Sequence, residues 1–302
     1  MTRSMQTAQQ PVQVSLIIAT LDDNGDLAAC LESATHLIDP GGGFELVIVD
    51  QNPDDRLTSL IQQYAEQLPI VYRQVDFRGA NRARNLGAQL ASGDWLAFPD
   101  DDCRFLPDTL IAAARHFTQR ELHVITGQII NDAGQPVLLR WPSSARRYSR
   151  WTMFHCVTEA TLFVRRTSFE TLEGFDCEFG PGAPYPAAEG IELLNRLFQR
   201  FGDACAQFDP AIALLHPEKI PPWNAWACDR YATYAVGDGA VVARHPHPHM
   251  WLWAARTLVA AGLQTLLARG WKRRAYDARI RALAAGYNAY RRRRPNHEQE
   301  PT

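Results

Sequence analysis

The chain has 302 residues, 46% of them apolar and 21% charged, an ordinary globular usage that excludes a wholly disordered polymer. A formal net charge of −2 argues against a general nucleic-acid binder. The charge is uneven: residues 251–302 hold eleven Lys/Arg against three Asp/Glu, a local +8, so the remainder carries −10. An acidic body with a basic tail suits a domain that uses a cation, followed by a segment that meets an anionic surface.

Residues 1–11 are polar and are expected to be disordered; they lack the apolar centre of a signal peptide. Residues 12–20 (VQVSLIIAT) form a β-branched run, apolar on both faces, as a buried parallel strand requires. Residues 26–36 have helical spacing, and Pro40-Gly41-Gly42-Gly43 breaks the chain. Residues 44–50 (FELVIVD) predict a second strand ending in a carboxylate. A helix over 56–67, a strand over 70–75 and a helix over 81–91 follow. Residues 95–98 predict a fourth strand that runs into Asp100-Asp101-Asp102, and 107–120 a further helix. Beyond residue 120, strands are expected over 124–131 and 161–165, with an Arg- and Trp-rich loop over 140–151 between them. A helix over 189–200 comes next, and the chain turns helical and basic from Pro221. The HPHPH run at His245–His249 reads as a proline-stiffened linker.

Strands alternating with helices imply βαβ units and a mostly parallel α/β sheet. Ligands of such sheets bind beyond the carboxyl ends of the strands. Thr20, Asp50 and Asp100 fall at those ends, so three positions distant in sequence converge on one rim. Adjacent carboxylates raise one another's pKa, and a divalent cation removes that cost. Mg²⁺ and Mn²⁺ prefer oxygen ligands, and Mg²⁺ takes one or two carboxylates together with phosphate oxygens. The six cysteines contain no C-x-x-C pair, which makes a zinc site improbable, and their scatter fits buried thiols in a reducing cytoplasm.

VSLIIAT, then ELVIVDQN, then RGANRARNLGAQLASGDWLAFPDDD closely resembles the family 2 glycosyltransferases. The match is dense over residues 12–110 and weaker to about 216. The resemblance implies a GT-A domain over 12–220 with a helical, basic segment over 221–302. It implies an inverting, nucleotide-sugar-dependent hexosyl transfer to a glycan or lipid-linked hydroxyl, assisted by Mg²⁺ or Mn²⁺. Thr20, Leu21, Asp50, Gln51, Arg84, Asn85, Asp100 and Asp101 would bind the donor, and Asp102 and His216 the metal. Gln51 stands where relatives that read uracil carry a carboxylate, so UDP, dTDP and GDP stay open.

Inverting transfer needs a general base on the acceptor hydroxyl. Relatives carry an acidic pair at the start of a helix after a Gly-rich loop. Here that helix opens at Glu189, but the usual following Asp is Gly190. Glu189 is favoured as base and Glu192 stands second. Trp251, Trp253, Leu258, Leu263, Leu266 and Leu267 lie among Arg256, Arg269, Lys272, Arg273, Arg274 and Arg291–Arg294. That mixture suits either an anionic membrane interface, making the protein peripheral at the cytoplasmic face, or a packed helical subdomain. Two other classes stay open: a nucleotidyltransferase, against which the Lys-free ATLDDNGD segment counts, and a non-catalytic sugar-nucleotide or glycan-binding relative, for which Gly190 would be the sign.

Overall fold

In the computed structural model residues 13–22 and 25–293 are described; the tail expected to be disordered, residues 1–11, lies outside them, as does Arg294. In chain order the elements are β1 (Val14–Thr20), α1 (Asp26–Ala34), β2 (Phe44–Asp50), α2 (Thr58–Ala65), β3 (Ile70–Gln74), α3 (Ala80–Leu90) and β4 (Trp95–Ala97). Next come β5 (Arg104–Phe105), α4 (Thr109–Ala114), β6 (Val124–Ile130), β7 (Arg146–Tyr148), β8 (Phe163–Arg165), α5 (Arg166–Thr171), α6 (Glu189–Phe201) and β9 (Ala206–Leu215). Three helices close the chain: α7 (Ala225–Arg244), α8 (Pro248–Leu267) and α9 (Gly270–Arg293).

The described strands form one sheet in the order β3-β2-β1-β4-β8-β6-β9-β5, with β7 also paired to β9. β3, β2, β1 and β4 are mutually parallel. β8 then enters antiparallel to both β4 and β6. The chain winds outward from β1 through β2 to β3 and then returns to the other side of β1 at β4. That reversal opens a crevice at the carboxyl ends of β1 and β4, where doubly wound sheets hold ligands.

The strands are apolar on both faces because both faces are covered. In β1, Leu16 and Ile18 face a core completed by Leu27, Leu31, Ile61 and Leu110 of α1, α2 and α4. Ile17, pointing the other way, joins Val47, Leu96 and Val164 under α3, α5 and α6. α3 lies directly on β1: a Cβ on Gly87 would come within 2.4 Å of Ile17 Cγ2.

The hydrophobic core runs across residue 220. Val241 and Val242 of α7, Met250 and Ala254 of α8 and Tyr290 of α9 share one cluster with Phe179, Tyr185 and Leu193. The basic segment is thus packed, although α8 leaves Val259, Leu263, Leu266 and Leu267 exposed. The HPHPH run is not a linker as its prolines suggested. It is the joint between α7 and α8, where the buried His245 reaches Glu192 Oε1 at 3.2 Å and the buried His249 reaches Asn195 Oδ1 at 2.8 Å on α6, while Pro246, His247 and Pro248 stay exposed. The Arg- and Trp-rich loop contains the short strand β7, held against β9. Among the described residues all six cysteines are free, and Cys177 is exposed rather than buried.

Candidate active site

Register builds the rim. Thr20 is the Cα partner of Asp50, and Asp50 of Gln74, so the ends of β1, β2 and β3 line up. Asp50 is fully buried, and its Oδ1 accepts hydrogen bonds from the backbone N and Nδ2 of Asn52, both at 2.8 Å. Tyr72 donates its hydroxyl to Asp50 Oδ2 at 2.6 Å, and Gln74 Nε2 donates to the Asn52 carbonyl at 3.2 Å. Burial and the adjoining carboxylate hold the Tyr72 hydroxyl well above the usual phenol range. Asn52 Oδ1 in turn accepts the Asp22 amide at 2.9 Å. The nucleotide end expected from Asp50 is therefore a fixed network whose other members, Asn52, Tyr72 and Gln74, the sequence did not single out. Gln51 is buried beside it, and its Oε1 has no hydrogen-bond partner among the described residues. Leu21 is half-buried at the same rim.

Beyond β4 the acidic triplet splits into three environments. Asp100 Oδ1 accepts a hydrogen bond from Arg84 Nη2 at 2.7 Å. The Asp101 carboxyl is pushed up to about 6 by burial, against a lowering contribution from the Thr20 hydroxyl and with help from Asp100 and Asp102. Asp102 lies 3.2 Å from His216 Nε2 and 2.5 Å from Lys219 Nζ. Burial works against its charge, but His216 and Lys219 hold its carboxyl well below the usual range. His216 is correspondingly raised: burial opposes its charge, but the Asp102 carboxylate outweighs that.

Ligand atoms of Asp100, Asp102, Cys103 and His216 lie within 4.8 Å of one another. Burial raises the Cys103 thiol well above its usual range, and a soft thiol is the least suited of the four to Mg²⁺ or Mn²⁺, which leaves two carboxylates and an imidazole. That set suits a hard or borderline divalent cation, and Lys219 Nζ already lies 2.5 Å from Asp102 Oδ2.

Arg84 ties this end to α6. Its buried guanidinium bridges Asp100 and Glu189, with Nη1 at 3.1 Å from Glu189 Oε1. Asn81, one turn earlier on α3, donates to the carbonyls of Asp176 and Phe179. Asn85 does not face Asp100 in this way. Its Nδ2 donates to the Phe175 carbonyl and its Oδ1 accepts the Phe175 amide, both at 2.8 Å, so it clamps the loop that leads toward α6.

The two glutamates of α6 part company. Leu193, Leu194, Leu197 and Phe198 are buried, each stabilising by about 1.5–3 kcal/mol relative to exposure, and they fix the rotation of the helix. Glu189 then meets Arg84. Glu192, 0% exposed, is taken by Arg196 at 2.6 Å and by His245 at 3.2 Å, a structural ion cluster under α7. Glu189 is 6% exposed, and burial, with the Glu159 charge adding and Arg84 opposing, raises its carboxyl to about 7.

Glu159 is the acid that sequence reading missed. It opens a single 3-10 turn, Glu159–Thr161, immediately before β8. Because β8 is antiparallel to β4, with Phe163 opposite Ala97, that turn lands on the same rim as Asp100. Glu159 Oε1 accepts the Gly190 amide at 2.9 Å.

The acidic cluster after β4 and the acidic start of α6 thus meet through Arg84 at the switch point of the sheet. Residues 15–178 match the glycosyl transferase family 2 model, and the chain belongs to that family. It is 30% identical over 170 residues to a PGL/p-HBAD biosynthesis glycosyltransferase of Mycobacterium bovis BCG, covering 55% of this chain and 64% of that protein. It is 33% identical over 95 residues to an uncharacterized glycosyltransferase of Haemophilus influenzae, covering 32% and 31%. The chain thus spans less than two thirds of the length of these relatives.

The fold is that of the GT-A glycosyltransferases. The mannosyltransferase PcManGT of Pyrobaculum calidifontis, solved with GDP-Man and Mn²⁺, superimposes with a TM-score of 0.62 at 16% identity, covering 91% of this chain and 87% of that one. S. aureus TarS 1–349 gives a TM-score of 0.59 at 16% identity, covering 94% and 92%.

Proposed function

We propose that the protein transfers a hexose, with inversion, from a nucleoside-diphosphate sugar to a hydroxyl of a glycan or lipid-linked acceptor in polysaccharide or cell-surface glycan synthesis. The observation that carries this reading is Arg84, which joins Asp100 of the metal-fitted cluster to Glu189 across the β1/β4 crevice. In this reading Arg84 brings the leaving-group end and the acidic end of the reaction within one guanidinium's reach.

Asp100, Asp102 and His216 would hold Mg²⁺ or Mn²⁺, and such an ion stabilises the negative charge that gathers on a departing diphosphate. The solved PcManGT complex with GDP-Man and Mn²⁺, and the TarS complexes with UDP and UDP-GlcNAc, support a nucleotide-sugar donor here. Thr20, Leu21, Asp50 and Gln51 would line the base and ribose. The unpartnered Gln51 Oε1 is suited to accept a base N–H, the role a carboxylate plays in uracil readers. Asp101, held up to about 6 by burial, would ionise once a cation neutralises its neighbours. The acid that takes the acceptor proton would be one of the carboxylates that gather where the start of α6 meets this rim.

The acceptor side favours a lipid-bound substrate. Val259, Leu263, Leu266 and Leu267 form an exposed apolar strip on α8, with Leu266 80% and Leu267 77% exposed. Arg256, Arg269, Lys272 and Arg273 lie nearby in sequence, a composition suited to the surface of an anionic bilayer. Attachment through this strip would be peripheral, at the cytoplasmic face; among the described residues no helix is long and apolar enough to cross a membrane.

The test is release of nucleoside diphosphate from UDP-glucose, UDP-GlcNAc, dTDP-rhamnose and GDP-mannose with Mn²⁺ and a panel of alkyl glycoside acceptors. The product linkage would then be read by NMR. Turnover of one donor with an inverted anomeric centre is expected; retention of configuration would overturn the reading.

A further inference from the structure

The start of α6 holds three carboxylates, and they differ in what already occupies them. Glu192 is saturated by Arg196, His245 and the more distant Arg244. Glu189 is 6% exposed and committed to Arg84. Its burial leaves little of the Glu189 carboxylate for an incoming hydroxyl to reach. Glu159 is different: it is only half-buried, and among the described residues no Lys, Arg or His lies within 4 Å of its carboxylate.

Its position is decided by what lies opposite. An ideal Cβ built on Gly190 would fall 2.6 Å from Glu159 Oε1, 3.1 Å from its Cδ and 3.2 Å from its Cγ. The carboxylate of Glu159 therefore fills the space that a side chain at position 190 would take. The Gly190 amide, at the N-terminus of α6, donates to Oε1 at 2.9 Å, so one oxygen of this half-buried carboxylate is held against the helix.

We propose that Glu159 is the general base of the transfer, a carboxylate delivered from the turn before β8 to stand in for the side chain that position 190 lacks. The assignment rests on the glycosyl-transfer reading above. In the step, the acceptor hydroxyl proton moves to Glu159 Oε2 and the hydroxyl oxygen forms a bond to the anomeric carbon of the donor. The bond from that carbon to the β-phosphate oxygen breaks, and its electron pair leaves with the nucleoside diphosphate. Glu189 is then a positioning residue that holds Arg84 against Asp100.

The decisive experiment compares E159Q, E159A and the double variant E159A/G190D with the wild type, using whichever of the four nucleotide sugars turns over with Mn²⁺. Nucleotide release is measured alongside binding of the matching nucleoside diphosphate by thermal shift. E159Q is expected to lose at least about 100-fold in kcat with nucleotide binding within twofold of wild type. The double variant moves the carboxylate onto α6, into space the truncation vacates, and is expected to recover at least tenfold over E159A. E159Q turning over within threefold of wild type would overturn the assignment and return the base to Glu189. A double variant that binds nucleotide but regains nothing would overturn it too. A wild type that binds no nucleoside diphosphate would instead overturn the glycosyl-transfer reading, and the assignment with it.

Discussion

Arg84→Ala offers a quantitative test of the bridge. The guanidinium is buried and makes two charge-assisted contacts, 2.7 Å to Asp100 and 3.1 Å to Glu189. Removing one partner from a buried ion pair costs about 3–5 kcal/mol when the other charge is stranded. Asp100 is 38% exposed at its side chain and can recover hydration, so the stranded charge is that of Glu189. Glu189 has an escape, which is to take a proton. Its carboxyl is raised by burial to about 7, and losing Arg84 removes the main positive charge that opposes the rise.

A carboxyl raised in the fold contributes stability that is complete below its unfolded pKa, near 4.5, and is lost as pH rises toward its folded pKa. In the wild type that loss ends near pH 7. In the variant it continues upward at about 1.4 kcal/mol per pH unit. The stability gap between the two proteins should therefore widen by about 2 kcal/mol between pH 7 and pH 8.5. Urea unfolding at pH 6, 7 and 8.5 measures it directly. A gap that is the same at pH 6 and pH 8.5 would refute the bridge as described.

Other consequences are open to simple assays. His249 is lowered to about 4 by burial and by the charges of His247 and Arg150, with Asp203 opposing and His245 adding. A depressed histidine favours the fold above its unfolded pKa and loses that contribution as pH falls from 6.5 toward 4. His249→Gln should flatten the acid side of the stability profile over that window by about 1–2 kcal/mol after solvent screening; an unchanged profile would contradict the burial argument. α7 and α9 touch through glycines: a Cβ on Gly286 would come 2.0 Å from the Val236 carbonyl oxygen, and one on Gly239 the same distance from that of Leu283. Gly286→Ala should lower Tm by a few °C, since overpacking of about 1–3 kcal/mol outweighs the gain of about 1 kcal/mol in helix propensity, and an unchanged Tm would place the helices further apart. Replacing Leu263, Leu266 and Leu267 of α8 by Asp should abolish flotation with vesicles of phosphatidylglycerol and phosphatidylcholine, while leaving solution nucleotide binding intact. Equal flotation of wild type and variant would remove α8 from the membrane.

The parts of the fold legible from sequence are those set by local patterns under a single constraint. β1 and β2 are buried on both faces, so their apolar runs announce them, and polar residues mark where each run meets the rim. Thr20, Asp50 and Asp100 could be aligned on that basis alone. What escaped depends on long-range register. Glu159 reaches the rim only because β8 inserts antiparallel between β4 and β6, and no local period in TEATLFVRR encodes that insertion. Asn85 sits one residue after Arg84 in the same motif, yet helix geometry turns it toward the Phe175 backbone instead of Asp100. The HPHPH run misled because its prolines are read locally, whereas His245 and His249 are placed by their partners on α6. Lys219 on Asp102 likewise closes a contact 117 residues long in sequence.

The central claim is that the cluster after β4 is a metal-assisted nucleotide-diphosphate site. It is tested most directly by thermal shift with UDP, dTDP and GDP, each with and without Mn²⁺, on the wild type and on Asp102→Ala. The account predicts stabilisation by one nucleotide that requires Mn²⁺ and disappears in the variant. No stabilisation by any nucleotide, or stabilisation that Asp102→Ala leaves intact, would contradict it.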